Sequence, residues 1–292
     1  MPSRRDPRAR EPPVFKRHVR AHNAVLGNAF WFDRGAPSLG RGFTLKRALR
    51  DRRVFMGILR RASRRAARSD DQALAARYDL LADKLDTCGT PSRCGSLACP
   101  VCADGFQRAK SAAHTHASLN LGRNRTDRQQ VFVTLIPRHM MFPAQEFQCI
   151  DVRKANRWLK DQLDSLELNR VMMGSIDFGW ERRRGGRYIQ IHWHLTFWTN
   201  NRPNLFEKLK SVFRKVKKGE RPVDVTLVWS LGFFRYINKA IRRKEWLRNN
   251  RRNLAEFLLV LDSVEPLDLL VLRKLRIVAK PGGLALRRIR SR

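Results

Sequence analysis

Acidic residues are scarce in this chain, tyrosines scarcer still, and long apolar runs are missing. Asp and Glu together number 26 against 61 Lys and Arg, a formal net charge of +35. The chain is 42% hydrophobic, enough to exclude wholesale disorder and, over 292 residues, to bury a sizeable core. A folded chain with that charge calls for a polyanion, and the phosphate backbone of nucleic acid is the usual one. An anionic membrane surface is the competing partner, but no segment joins a basic face to a broad exposed apolar one. No uninterrupted apolar run approaches the ~18 residues of a membrane span. The N-terminus, Met1-Pro-Ser-Arg-Arg-Asp-Pro-Arg8, is basic with no apolar segment behind it, unlike a secretory signal. The expectation is a cytoplasmic protein without a membrane partner. Only Tyr78, Tyr188 and Tyr236 can serve a reaction that needs a phenol, and no internal repeat is present.

Cysteine is rare too, and four of the five fall within fifteen residues. Cys88, Cys94, Cys99 and Cys102 have the spacing C-x5-C-x4-C-x2-C, closing on Cys99-Pro-Val-Cys102. Four thiolates so placed suit tetrahedral zinc, and four sulfur ligands leave no position for a substrate, so the site reads as structural. Disulfides are the alternative, disfavoured in a cytoplasmic chain. Cys149 stands apart and reads as an ordinary buried residue.

The richest stretch is Tyr188-Ile-Gln-Ile-His-Trp-His-Leu-Thr-Phe-Trp198. Its alternation sends Ile189, Ile191, Trp193, Leu195 and Phe197 one way, and Tyr188, Gln190, His192, His194 and Thr196 the other. Same-face neighbours in a strand lie roughly 6 to 7 Å apart, close enough for His192 and His194 to converge on one ion. Two solvent-facing histidines on an exposed sheet are the plainer alternative. A third ligand follows from register. If 171–180 and 188–198 form a hairpin centred near Arg184-Gly185, Asp177 lies opposite His192 and Ser175 opposite His194. Ile176, Phe178 and Trp180 then join the apolar side, whereas a slip of one residue buries Asp177. Thr134 lines the same face as a DNA-facing or a structural hydroxyl, and Tyr188 suits stacking on a base.

Around this hairpin the pattern predicts a strand at 131–136, a helix at 151–167, a helix at 204–217, a strand at 222–229 and a helix at 230–247. In order this is β-α-β-β-α-β-α, an α+β fold: an antiparallel sheet with helices on one face and the other face open for a ligand. Residues 1–43 read as a largely irregular basic arm. Residues 44–120 read as a helical basic region containing the zinc segment 88–102. Arg60-Arg-Ala-Ser-Arg-Arg-Ala-Ala-Arg68 within it suggests a solvated, DNA-facing helix side. The apolar segment 253–278, split by Pro266, reads as a C-terminal helical extension over 251–292 that completes the core or, less simply, forms a dimer surface. On the 230–247 helix, Gly232, Tyr236, Lys239 and Arg243 fall opposite the apolar stripe Leu231, Phe234, Ile237 and Ile241.

The order of these motifs resembles the plasmid rolling-circle replication initiators of the HUH endonuclease superfamily. It is carried by the Cys-Pro-x-Cys segment, the strand Phe132-Val-Thr-Leu135, the His-hydrophobe-His strand and Tyr236-Ile-Asn-Lys239, across roughly residues 88–243. The resemblance implies an HUH domain over 121–250 and an enzyme that nicks one DNA strand at an origin. It implies a divalent metal, Mg2+ or Mn2+, at His192, His194 and Asp177, with Tyr236 as nucleophile and Lys239 beside it. Thr134, Tyr188 and Arg243 fall to DNA contact. Origin DNA, single-stranded or extruded as a hairpin, would be the partner, with host replication machinery behind it. One departure stands out. Where related single-tyrosine initiators carry a glutamate one turn before the nucleophile, this chain has Gly232, which leaves the termination step unassigned. A single-tyrosine HUH transposase shares the same site. A non-catalytic zinc-containing nucleic-acid-binding protein accounts for the charge and cysteines but not for the histidine strand, and a metal-dependent oxygenase accounts for neither charge nor cysteines.

Overall fold

The computed structural model describes residues 45–89, 93–122, 129–168, 172–183, 186–214, 221–228, 251–280 and 283–289. Three helices come first: α1 (Leu45–Arg68), α2 (Gln72–Asp86) and α3 (Pro100–Gly122). In α1, Phe55, Ile58, Leu59, Ala62 and Ala66 are buried while Arg60, Arg61, Arg64, Arg65 and Arg68 are exposed, so the charge run is a solvated side. Asp71 caps α2 by accepting a hydrogen bond from the Leu74 amide at 3.0 Å.

Then come β1 (Gln129–Leu135), the short β2 (Met141–Pro143), α4 (Val152–Ser165), β3 (Met172–Arg183), β4 (Gly186–Thr199), α5 (Arg202–Val212) and β5 (Val223–Leu227). Asp151 and Asn201 cap α4 and α5 with side-chain oxygens on the Lys154 and Asn204 amides. After α6 (Arg251–Ser263) follow β6 (Leu270–Arg273), β7 (Leu275–Lys280) and β8 (Gly283–Arg288).

One antiparallel sheet runs in the order β5-β1-β4-β3-β6, with β2 added onto β4. The hairpin pairing is the one expected from alternation: Asp177 opposite His192, Ser175 opposite His194, and Arg183 paired to Gly186 across the turn. The apolar face carries Ile176, Phe178, Ile189, Ile191 and Trp193, all buried. Trp158 of α4 stacks on Trp193 with ring centroids 5.8 Å apart, and Phe257 of α6 meets Phe178 edge-on at 5.5 Å. Burying side chains such as Phe257 contributes about 1.5–3 kcal/mol each, and this face anchors the sheet.

Three expectations are corrected. Helices do not occupy one face alone, because α3 and the β7–β8 hairpin pack on the histidine side. Ala113 and Ala117 of α3 join Phe132, Met173, Trp198, Leu275 and Leu286 in a second buried cluster there. The reason is size and polarity. Small alanines let a helix approach the inner half of a face that Phe132 and Trp198 make apolar. The segment 251–292 is not a helical extension either. Its helix stops at Ser263, and β6 pairs with β3 through Ser175↔Leu270 to complete the sheet edge. Pro266 ends the helix, and the free edge of β3 supplies partners that turn a Leu/Val run into a strand. Cys149 is exposed, at the end of a 3-10 turn (Ala144–Cys149) that leaves its side chain outside the core. Among the described residues no helix is long and apolar enough to cross a membrane.

Candidate metal centres

The Cys-Pro-Val-Cys run ends a loop and starts α3, so Cys99 and Cys102 sit at the head of a rigid element, with Cys88 and Cys94 brought in from the preceding segment. The Sγ atoms of Cys88 and Cys102 are 3.5 Å apart, those of Cys94 and Cys102 3.6 Å, and those of Cys99 and Cys88 3.7 Å. A disulfide needs about 2.05 Å. A zinc tetrahedron with bonds of about 2.3 Å has edges of about 3.8 Å. The four sulfurs therefore form a cluster that can hold a zinc ion, and Cys88, Cys99 and Cys102 are buried with it. Hydrogen bonds from Cys102, Cys94 and Cys99 hold the Cys88 thiol far below its ordinary value, while its contact with Cys88 pushes Cys102 up. Thiols crowded this closely give up a first proton readily and a last one reluctantly, and a dication reverses that reluctance. The Arg52 guanidinium donates to the Cys88 carbonyl, tying α1 to the cluster.

The second centre lies on β3 and β4. Asp177 Oδ2 is 3.3 Å from His192 Nε2 and 3.5 Å from His194 Nε2. Donors about 2.1 Å from a shared ion lie about 3.0 to 3.4 Å apart for angles between octahedral and tetrahedral. The triad thus has the spacing to hold one metal ion. Each member is also held from behind. His194 Nδ1 lies 3.2 Å from Thr134 Oγ1, and His192 Nδ1 lies 3.4 Å from the Gln190 carbonyl, so both rings present Nε2 to Asp177. Asp177 Oδ1 accepts from the Phe178 amide at 2.9 Å, which leaves Oδ2 for the histidines. Burial pushes the Asp177 carboxyl up, but hydrogen bonds and charge from His192 and His194 outweigh it and leave it well below the usual carboxylate range.

The strand that carries the histidines is locked by its opposite face. Trp193, between them in sequence, donates its indole N–H to Asn156 Oδ1 at 2.9 Å, and Asn156 donates in turn to the Asp268 carbonyl. Gly174 permits close strand approach: a Cβ there would collide with the His194 carbonyl oxygen. Gly179 keeps open the space beside His192, whose ring lies 3.4 Å from where a Cβ would stand. Exposure is graded across the triad, with side chains 14% exposed at His192, 11% at Asp177 and 2% at His194. Solvent reaches this centre from the His192 side.

Of the other residues read from sequence, Thr134 has a defined task, orienting His194. Tyr188 sits toward the turn end of the hairpin, half-buried, opposite Glu181 on one side and Pro143 on the other. Tyr236, Lys239 and Arg243 lie outside the described residues.

Two residues escaped the sequence reading. Lys110 and His114 are one turn apart on α3, on its sheet-facing side, and are 4% and 1% exposed. Burial pushes Lys110 down to about 8, against an opposing pull from the charge of Asp177. Burial and the neighbouring Lys110 push His114 down to about 3. Their spacing among Ala109, Ala113 and Ala117 is the signal that marks them: two ionisable groups on the small-residue face of a helix.

Comparison with known proteins gives no relative: no family model, curated protein or solved structure matches the chain.

Proposed function

We propose that the protein is an HUH-type endonuclease that nicks one strand of DNA, acting as an initiator of rolling-circle replication. The observation that carries this is the Asp177–His192–His194 triad, three metal donors converging from one hairpin of an antiparallel sheet in a chain of net charge +35. A closed four-sulfur cluster and a large positive charge alone fit a nucleic-acid-binding module. A second, three-donor centre with a solvent-facing side fits chemistry on a bound strand.

In this reading His192, His194 and Asp177 hold a divalent ion, and Mn2+ suits two imidazoles better than Mg2+ does. Such an ion, when bound, polarises the phosphate oxygens. Tyr236 supplies the attacking phenolic oxygen, which bonds to phosphorus as the bond to the 3′-oxygen breaks. The phenol proton passes to the departing 3′-oxygen, giving a 5′-phosphotyrosine link and a free 3′-hydroxyl that a polymerase extends. Lys239, close to Tyr236 in the sequence Tyr236-Ile-Asn-Lys239, favours loss of the phenol proton. Thr134 keeps His194 in the metal-binding tautomer, and Tyr188 and Arg243 contact the strand. No nucleotide cofactor is needed, because the bond energy is kept in the protein–DNA ester.

With Mn2+ and an oligonucleotide bearing the cognate origin, the wild-type protein forms an adduct that survives denaturing electrophoresis, and Tyr236→Phe abolishes it while binding the same DNA. An adduct retained in Tyr236→Phe and lost in Tyr188→Phe moves the nucleophile to Tyr188. No adduct from any form on the cognate site overturns the nickase reading in favour of binding alone. Joining of a second strand end without replication of the flanking DNA would mark a transposase with the same site.

A further inference from the structure

A buried cation faces the triad from a different part of the chain. Lys110 is 4% exposed, lies on the side of α3 that packs against the histidine face, and interacts electrostatically with Asp177. Its Nζ stands 5.0 Å from the centre of the Phe106 ring, a partial compensation for lost water. Among the described residues no carboxylate forms a salt bridge with it. The other titratable groups on this face are His192 and His194 on β4 and His114 one turn along its own helix. His114 is neutral at pH 7, since burial keeps its value near 3. Among the described residues Asp177 is the carboxylate whose charge acts on Lys110, and a metal ion held by the triad would neutralise that carboxylate and repel Lys110.

A buried ammonium beside a dication is costly unless a further anion joins them. We propose that Lys110 and the triad together form a phosphate-oxygen subsite, with Lys110 contacting a non-bridging oxygen of the phosphodiester whose other side faces the metal. This rests on the nickase reading for the identity of the phosphate as the scissile group of a DNA strand. The subsite itself requires only a metal and an anion. It makes Lys110 a catalytic residue in that reading: charge on the phosphate oxygens grows as phosphorus is attacked, and a fixed cation in a dry setting stabilises that growth more than it stabilises the starting ester. It also gives α3 a reason to lie on this face. The same helix begins at Pro100, between Cys99 and Cys102, so the sulfur cluster fixes the end of the element that carries the cation.

The test is thermodynamic coupling between two simple probes, Mn2+ and inorganic phosphate, measured at pH 7 on the zinc-loaded protein. Phosphate should tighten Mn2+ binding to the wild type by roughly ten- to a hundredfold, and Mn2+ should tighten phosphate binding equally. In Lys110→Met, a length-matched apolar replacement, Mn2+ alone should bind several-fold more tightly, because a like charge is gone, and phosphate should no longer enhance it. Lys110→Arg should keep a reduced enhancement. Equal coupling in wild type and Lys110→Met overturns the proposal, as does weaker Mn2+ binding in Lys110→Met with the fold intact by circular dichroism. Should the Met variant fail to fold, the Arg variant decides: enhancement kept in part supports the subsite, and undiminished or absent enhancement overturns it. None of these readings uses DNA cleavage. Coupling lost in Lys110→Met while no protein–DNA adduct ever forms would leave the subsite standing and the nickase reading fallen.

Discussion

The two metal centres make an instructive pair, because each is built from donors of a different chemistry on a different kind of element. The sulfur cluster gathers four thiols from a loop and the first turn of α3, is buried almost throughout, and has the donors to saturate a tetrahedral ion. The Asp177–His192–His194 centre uses three donors on two paired strands and keeps one flank toward solvent at His192. The first spends its whole coordination shell on holding chain segments together. The second leaves positions for something that is not protein. Position in the fold follows the same division. The sulfur cluster ties the segment after α2 to the first turn of α3, whereas the hairpin is already anchored by Trp193 on its opposite face.

If that division is right, breaking the first centre should cost structure and breaking the second should cost only the ion. The largest effect is therefore expected for Cys102→Ser. Zinc content should fall from about one equivalent to none, and the thermal midpoint should drop by roughly 10 °C or more, since structural zinc contributes to folding directly. An unchanged midpoint with zinc absent would make the cluster ornamental. Next comes Asp177→Ala, which should weaken Mn2+ binding at the second centre by about a hundredfold or more while leaving zinc at one equivalent. Loss of zinc in this variant would show that the centres are not separable. Thr134→Val is a finer cut. It removes only the hydroxyl beside His194 Nδ1, so Mn2+ affinity should fall about tenfold with a stability change near 1 kcal/mol. Titration calorimetry that finds full affinity would deny Thr134 its orienting task.

The smallest effect belongs to a control remote from both. Burial in the α1–α2 layer, with the charge of Glu256 adding to it, pushes Tyr78 up to about 12 from an ordinary value near 10. The raised value means the folded state holds its proton longer than the unfolded one, so the stabilisation is whole below pH 10 and is lost as pH rises toward 12. Tyr78→Phe should remove that alkaline slope from chemical denaturation curves whether or not the second centre carries metal. A slope that depends on Mn2+ would mean the helical layer and the sheet are coupled.

The contrast between the centres also separates what was readable in sequence from what was not. Both ligand sets could be found because each obeys a short-range rule. The cysteines follow a turn spacing, and the histidines and Asp177 follow a two-residue alternation whose register the Arg183–Gly186 turn fixes. The covering of the histidine face by α3 was not readable, since packing between distant segments leaves no periodic trace and Ala113 and Ala117 are equally at home on an exposed helix. The small-residue spacing around Lys110 marks a buried helix face without saying what that face meets, which is why Lys110 was missed. The strands after Ser263 were missed because a Leu/Val run of that length satisfies helix and strand alike, and the deciding partner, the edge of β3, is a tertiary one.

That all three ligands of the second centre lie on a single hairpin also bears on how the chain can be cut and rejoined. Bringing Asp177 to His192 requires closing only a tight turn, whereas bringing Lys110 to the same spot requires closing a loop that contains β1, β2 and α4, a larger entropic demand. New termini placed between α3 and β1 would leave the donor triad and its register untouched and remove the tether that delivers the cation. A permuted chain of that kind should still capture the ion with native spacing, yet lose the anion's contribution in proportion to how poorly α3 finds its place, making chain connectivity a dial on one half of the site alone.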